Sequence, residues 1–107
     1  MALPRKNRIV KEKDFDLVFN KGKTVKGSFL FIKSKNNGLD TPRFGFAIPK
    51  KTIPNASGRN RIKRVLSEIV VKKFIKTYPK EPVDIVIVLK KAGDEPELIR
   101  ELQALIM

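Results

Sequence analysis

Hydrophobic residues recur along this chain with two different periods, and the switches between them divide it into elements. Over about 14–20, Phe15, Val18 and Phe19 share one face of a short helix, with Asp14 as candidate N-cap and Gly22 as a stop. "SFLFIKSK" (28–35) is rich in strand formers and "RFGFAIPK" (43–50) alternates, with "NNGLDTP" (36–42) as the turn between them. "GKTVKG" (22–27) predicts a further short strand. Ile62, Val65, Leu66 and Ile69 fall at helical spacing, so a central helix is expected over about 57–77, ended by "TYPKEP" (77–82). "VDIVIVLKK" (83–91) is an almost unbroken β-branched run, as in a strand buried on both faces. "AGDEPELIRELQALIM" closes the chain as a helix. Asp94 and Glu97 are spaced for a capping box, and Leu98, Leu102, Leu105 and Ile106 form the apolar stripe.

Helix, two or three strands, helix, strand, helix is the order of an α+β or split α/β sandwich. The strand–helix–strand segment 43–91 predicts parallel neighbours, which general handedness rules would join by a right-handed crossover. The 107 residues make one domain, with residues 1–13, which include Pro4, as a basic extended arm.

Charge changes the picture. Twenty-four Lys and Arg against eleven Asp and Glu give a net charge of +13. That much charge of one sign on a small domain calls for a polyanionic partner, and nucleic acid is the usual one. No apolar run reaches the roughly 18 residues of a membrane span, and the N-terminus lacks the apolar centre of a signal peptide. The chain therefore reads as cytoplasmic, with no membrane partner. It has no cysteine and no histidine. That removes thiolate chemistry, ordinary zinc sites and the Ser-His and Cys-His nucleophiles. The acids are scattered and no phosphate-cradling glycine motif occurs, so neither a catalytic set nor a small-molecule substrate is indicated.

The cations cluster. Residues 50–64 carry six Lys or Arg and no acid, whereas residues 94–107 carry four acids and one Arg. In "SGRNRIKRVLSEIV", Arg59, Arg61, Lys63 and Arg64 sit at the start of the central helix, where the helix dipole disfavours cations. A solvated charged face would interleave acids four residues away, and only Glu68 does so. A phosphate at the helix start would instead meet free N–H groups, the dipole and the arginines together. Asn60, Lys63, Arg64 and Ser67 share the polar face at spacings of three and four. Asn60 can hold a sugar hydroxyl or the water of a hydrated Mg²⁺ ion. Most aromatics belong in a core. Still, Phe29 with Phe31, and Phe44 with Phe46, each fall on one strand face, where bases can stack. "PKK" (49–51) and "LKK" (89–91) end two strands in paired lysines, as solvated tips or as phosphate contacts.

The stretch "RFGFAIPKKTIPNASGRNRIKRVLSEI" is similar to the signature region of the bacterial ribonuclease P protein subunit. "KNRIVKEKDFDLVFNKGK" resembles that family's basic segment and first helix, and "VDIVIVLKKAG" its last strand. The resemblance implies an α-β-β-β-α-β-α sandwich with a mixed sheet and a left-handed βαβ crossover. It implies a protein that binds a catalytic RNA and the 5′ leader of precursor tRNA, promoting Mg²⁺-dependent removal of the leader. The RNA would supply the active site and its Mg²⁺. Carried over by position, Lys50, Lys51, Arg59, Asn60, Arg61, Lys63 and Arg64 would contact RNA. Phe15, Phe19, Ile32, Lys63 and Ser67 would line the leader cleft, with Ser67 standing where relatives often have Arg. A ribosomal or other structural RNA-binding protein is the alternative with the same charge and size.

Overall fold

The computed structural model describes residues 3–75 and 82–106. Helix α1 (Glu12–Lys21) is followed by strands β1 (Lys23–Lys26), β2 (Leu30–Asn36) and β3 (Arg43–Ala47). Helix α2 (Ala56–Ile69) runs into a π-helical turn (Val70–Ile75), and β4 (Val83–Leu89) and α3 (Glu95–Ile106) complete the fold. The order is the α-β-β-β-α-β-α expected. The central helix reaches its π-helical turn sooner than the expected span, and most of its proposed stop at 77–82 lies outside the described residues.

The sheet is mixed, in the order β1-β2-β4-β3. β1 and β2, and β2 and β4, pair antiparallel; β3 and β4 are parallel. Partners in register share a face, so the register sorts every strand residue. One face carries Leu30, Ile32, Phe44, Phe46, Ile85, Ile87 and Leu89, packed under Ile62, Leu66, Val70 and Phe74 and under Leu98 and Leu102 of α3. The other carries Phe31, Ala47, Val86 and Val88 against Phe15 and Val18 of α1. β4 is covered on both faces, which is why its sequence shows no alternation.

α1 crosses the strands on its own side. It begins at Glu12, after an extended Lys11 that makes no side-chain cap. Asp14 is therefore not the N-cap expected. Its carboxylate is used elsewhere, 3.4 Å from Arg43. Arg43 also donates to both oxygens of the buried Asp84, at 2.8 and 2.6 Å, and Asn37 donates to Asp84 at 2.8 Å. The hydrogen bonds to Asp84 raise the Arg43 pKa above its ordinary value, against the pull of desolvation. This network joins α1 to the β3–β4 pair. At Gly45, an added Cβ would meet the Phe15 ring at 3.0 Å, so the bare backbone lets α1 approach β3 closely.

Residues 3–9 are not a free arm. Leu3 and Asn7 are buried, the Asn7 amide donates to the Pro42 carbonyl at 2.8 Å, and Ile9 N–H donates to the Phe44 carbonyl at 2.9 Å. An edge strand offers unpaired backbone groups, and this segment takes them on β3. A second long-range tie comes from α3, where the Glu101 carboxylate accepts from the N–H groups of Phe29 and Leu30.

Asp84→Ala removes the shared acceptor of Arg43 and Asn37 and leaves the guanidinium largely uncompensated. The expected loss is about 3 kcal/mol of unfolding free energy, read by urea denaturation.

Candidate nucleic-acid interface

α2 starts at Asn55, whose side-chain oxygen accepts from the N–H groups of Ser57 and Gly58 at 2.8 and 3.2 Å. Two N–H groups expected to receive a phosphate are thus already satisfied. What this region offers an anion is its basic side chains rather than an open helix end. Arg59 is turned back, donating to the Ile53 and Pro54 carbonyls at 2.9 Å each, and fastens the loop that brings Lys50 and Lys51 to the surface. Arg61 is exposed and donates from Nε to Glu95 of α3 at 2.6 Å. That hydrogen bond raises its pKa further above the ordinary value. The side chains of Lys50, Lys51, Asn60, Lys63 and Arg64 have no hydrogen-bond or ion-pair partner among the described residues. Four cations within residues 50–64 therefore stay unneutralised among the described residues.

Ser67 is not on this face. It is fully buried and donates to the Arg64 carbonyl at 2.9 Å. It lies three residues before Val70 and seven before Phe74, both buried, so the core claims this side of the helix as well. Ser67 cannot line an accessible cleft as the sequence suggested.

The cleft lies beside α1, on the sheet face opposite α2. Its floor is one cross-strand row: Lys26, Phe31, Val88 and Ala47 are successive register partners. The next row, Thr24, Lys33, Val86 and Gly45, runs beneath α1. Phe19, 37% exposed, packs its ring 6.3 Å from that of Phe31 at 58°. Phe15 rests over Gly45. Ile32 points the other way, into the core under α2 and α3, and is buried. Sequence reasoning therefore missed by one residue; Phe31 and Lys33 are the β2 side chains on the cleft side. Leu30 and Ile32 as core positions fix that parity.

Phe29 and Phe31 do not share a face either. Phe29 precedes β2, packs against the opposite core and receives the N–H groups of Lys90 and Lys91 at its carbonyl. Phe44 and Phe46 share a face as expected, but both are buried and unavailable for stacking. Lys63 stands on α2 and belongs with the basic face rather than with Phe15 and Phe19. The two surfaces meet where the floor row ends at Ala47 and the chain continues to Lys50 and Lys51.

No group of three or more Asp, Glu, His or Cys that could hold a metal occurs among the described residues, and Asn60 offers a single exposed amide. These residues do not fit a metal site held by the protein. Among the described residues no helix is long and apolar enough to cross a membrane.

A mixed-sheet α+β domain with a strongly basic helix face is of the class of small RNA-binding proteins. Comparison with known proteins narrows the class. The sequence model of the family described as Ribonuclease P matches residues 3–107. The ribonuclease P protein component of Photobacterium profundum is 32% identical over 95 residues, covering 89% of this chain and 78% of that protein. That of Syntrophomonas wolfei is 48% identical over 68 residues, covering 64% and 56%. The solved RNase P protein from Thermotoga maritima superposes with a TM-score of 0.79 at 26% identity, covering 92% of this chain and 94% of that one. The chain belongs to the bacterial ribonuclease P protein family.

The Asn55 side chain has partners within the fold, whereas those of Lys63 and Arg64 have none among the described residues. Asn55→Ala should lower stability by about 1 kcal/mol through loss of the cap. Lys63→Ala and Arg64→Ala should each change it by less than about 0.5 kcal/mol. Thermal unfolding of the three variants measures this.

Proposed function

We propose that this protein acts as an electrostatic and stacking adaptor within ribonuclease P. It binds the catalytic RNA through Lys50, Lys51, Asn60, Arg61, Lys63 and Arg64, and the 5′ leader of precursor tRNA through the cleft beside α1. One observation carries the reading: four cations without partners among the described residues stand near the sheet face on which the partly exposed Phe19 ring packs beside Phe31. Each phosphate met by this face releases counterions, so assembly is salt-dependent. Contacts in the cleft are to base faces and backbone and are therefore sequence-tolerant.

The chemistry of phosphodiester cleavage belongs to the RNA in this proposal. The chain has no histidine and no cysteine to serve as base or nucleophile. Mg²⁺ is the cofactor, and RNA phosphates are its natural ligands. The protein's part is to hold substrate and RNA together and to reduce their mutual repulsion, which favours Mg²⁺ occupancy on the RNA.

Reconstitution tests this directly. Protein alone should leave precursor tRNA uncut, and protein added to a bacterial ribonuclease P RNA should stimulate cleavage at low Mg²⁺. Binding without stimulation would instead indicate a structural RNA-binding protein. The double substitution of Lys63 and Arg64 by Ala should weaken binding to the catalytic RNA and flatten its salt dependence by about one unit of slope per residue. Arg61→Ala should have a smaller effect, because Glu95 already offsets that charge.

A further inference from the structure

Lys33, like Lys91 over Phe29, is held against an aromatic ring rather than by an acid. Its ammonium lies 5.3 Å from the Phe19 ring centroid and donates to Thr24 Oγ1 at 2.9 Å. It has no carboxylate partner among the described residues, and residues 17–39 contain no acid at all. Among the described residues, this partly exposed cation is thus steadied by a ring face and a hydroxyl and by no acid. Both are weak partners beside a phosphate oxygen, with which an ammonium makes a charge-assisted bond. The ring it covers belongs to Phe19, the most exposed aromatic next to the cleft floor.

We propose that Lys33 is an exchangeable plug and a specificity-determining residue of the cleft. An incoming base takes the Phe19 ring face, and the displaced ammonium moves onto a phosphate of the same strand. One cation–π contact is thereby exchanged for a base stack and a charge-assisted hydrogen bond. A ligand without phosphate must displace the ammonium and gives it nothing in return. The cleft therefore selects single strands by backbone charge, whatever their bases. This deepens the leader-binding reading and rests on it.

The test uses reconstituted holoenzyme with precursor tRNA and with leaderless tRNA, titrated across salt concentrations. Lys33→Met keeps the aliphatic stem and removes the charge. It should weaken binding of the leadered substrate roughly fivefold and lower the salt slope by about 0.7, the value for one phosphate on a single strand. Leaderless binding should not change, and Lys33→Arg should keep the slope. Neutral methylphosphonate linkages in the leader should weaken wild-type binding and have no further effect in Lys33→Met. Lys33→Gln gives a second neutral variant, and melting curves check that both fold. Unchanged or tighter leader binding by Lys33→Met would reduce Lys33 to a steric cover and overturn the proposal. An equal loss on leaderless tRNA would make its role structural and overturn it too. A wild-type holoenzyme with no preference for the leader would bring down the cleft reading itself, before any variant is compared.

Discussion

One ten-residue helix has to cover a face of a four-stranded sheet, and it cannot. α1 is about 15 Å long and about 10 Å across. Laid across the strands, its length matches the roughly 14 Å between the outer strands, but its breadth covers only part of a β4 about 23 Å long. The covered part is the row of Val86 and Gly45 and the ionic cluster of Arg43, Asp84 and Asp14. The row from Lys26 to Ala47 is covered unevenly: Val88 is buried and Phe31 packs on Phe19, whereas Lys26 is exposed. The opposite face carries two helices and keeps a pocket toward β1, lined by Ile32, Phe74, Ile85, Leu105 and Ile106 among others. The cleft is thus the remainder of an unequal division of helices between two sheet faces. It persists because the Asp14–Arg43–Asp84 network and the fit of Phe15 on Gly45 fix where α1 lies.

The charge distribution follows the same division of labour. Three arginines have acceptors within the chain: Arg43 has two carboxylates, Arg59 has two backbone carbonyls, and Arg61 has Glu95. Lys50, Lys51, Lys63 and Arg64 have none among the described residues. Unneutralised charge on a domain of +13 works against compactness. It is tolerable where a polyanion completes it. The dipole penalty at the start of α2 is met in part by Asn55, which occupies the end of the helix and leaves the cations to act sideways.

Most of the architecture was legible because it depends on period. The β-branched run of β4, the stripe of α2 and the capping residues of α3 all report local geometry and burial at once. What could not be read depends on partners distant in sequence. Asp14 resembles an N-cap until Arg43, 29 residues on, takes its carboxylate. The basic N-terminal segment reads as an arm until Asn7 finds the Pro42 carbonyl. Ser67 reads as polar surface until the π-helical turn carries Val70 and Phe74 into the core on its side. The misplacement of Ile32 is different in kind. A period-two pattern has only two phases, and the bend at Phe29 hides which one β2 adopts, since Phe29 and Phe31 look like strand neighbours and are not.

That one-residue phase decides what the cleft can recognise. With Ile32 on the floor, the wall opposite Phe19 would be aliphatic and indifferent to backbone charge. With Phe31 and Lys33 there, the wall pairs a ring with an ammonium, and both answer to a single-stranded polyphosphate. A sheet register set by core packing on one face, Leu30 and Ile32 under α2 and α3, thereby fixes the chemistry offered on the other. Fold and recognition are coupled through the pleat of β2. A substitution that shifted this strand by one residue would bury a lysine in the apolar core and strip the cleft of charge in the same step.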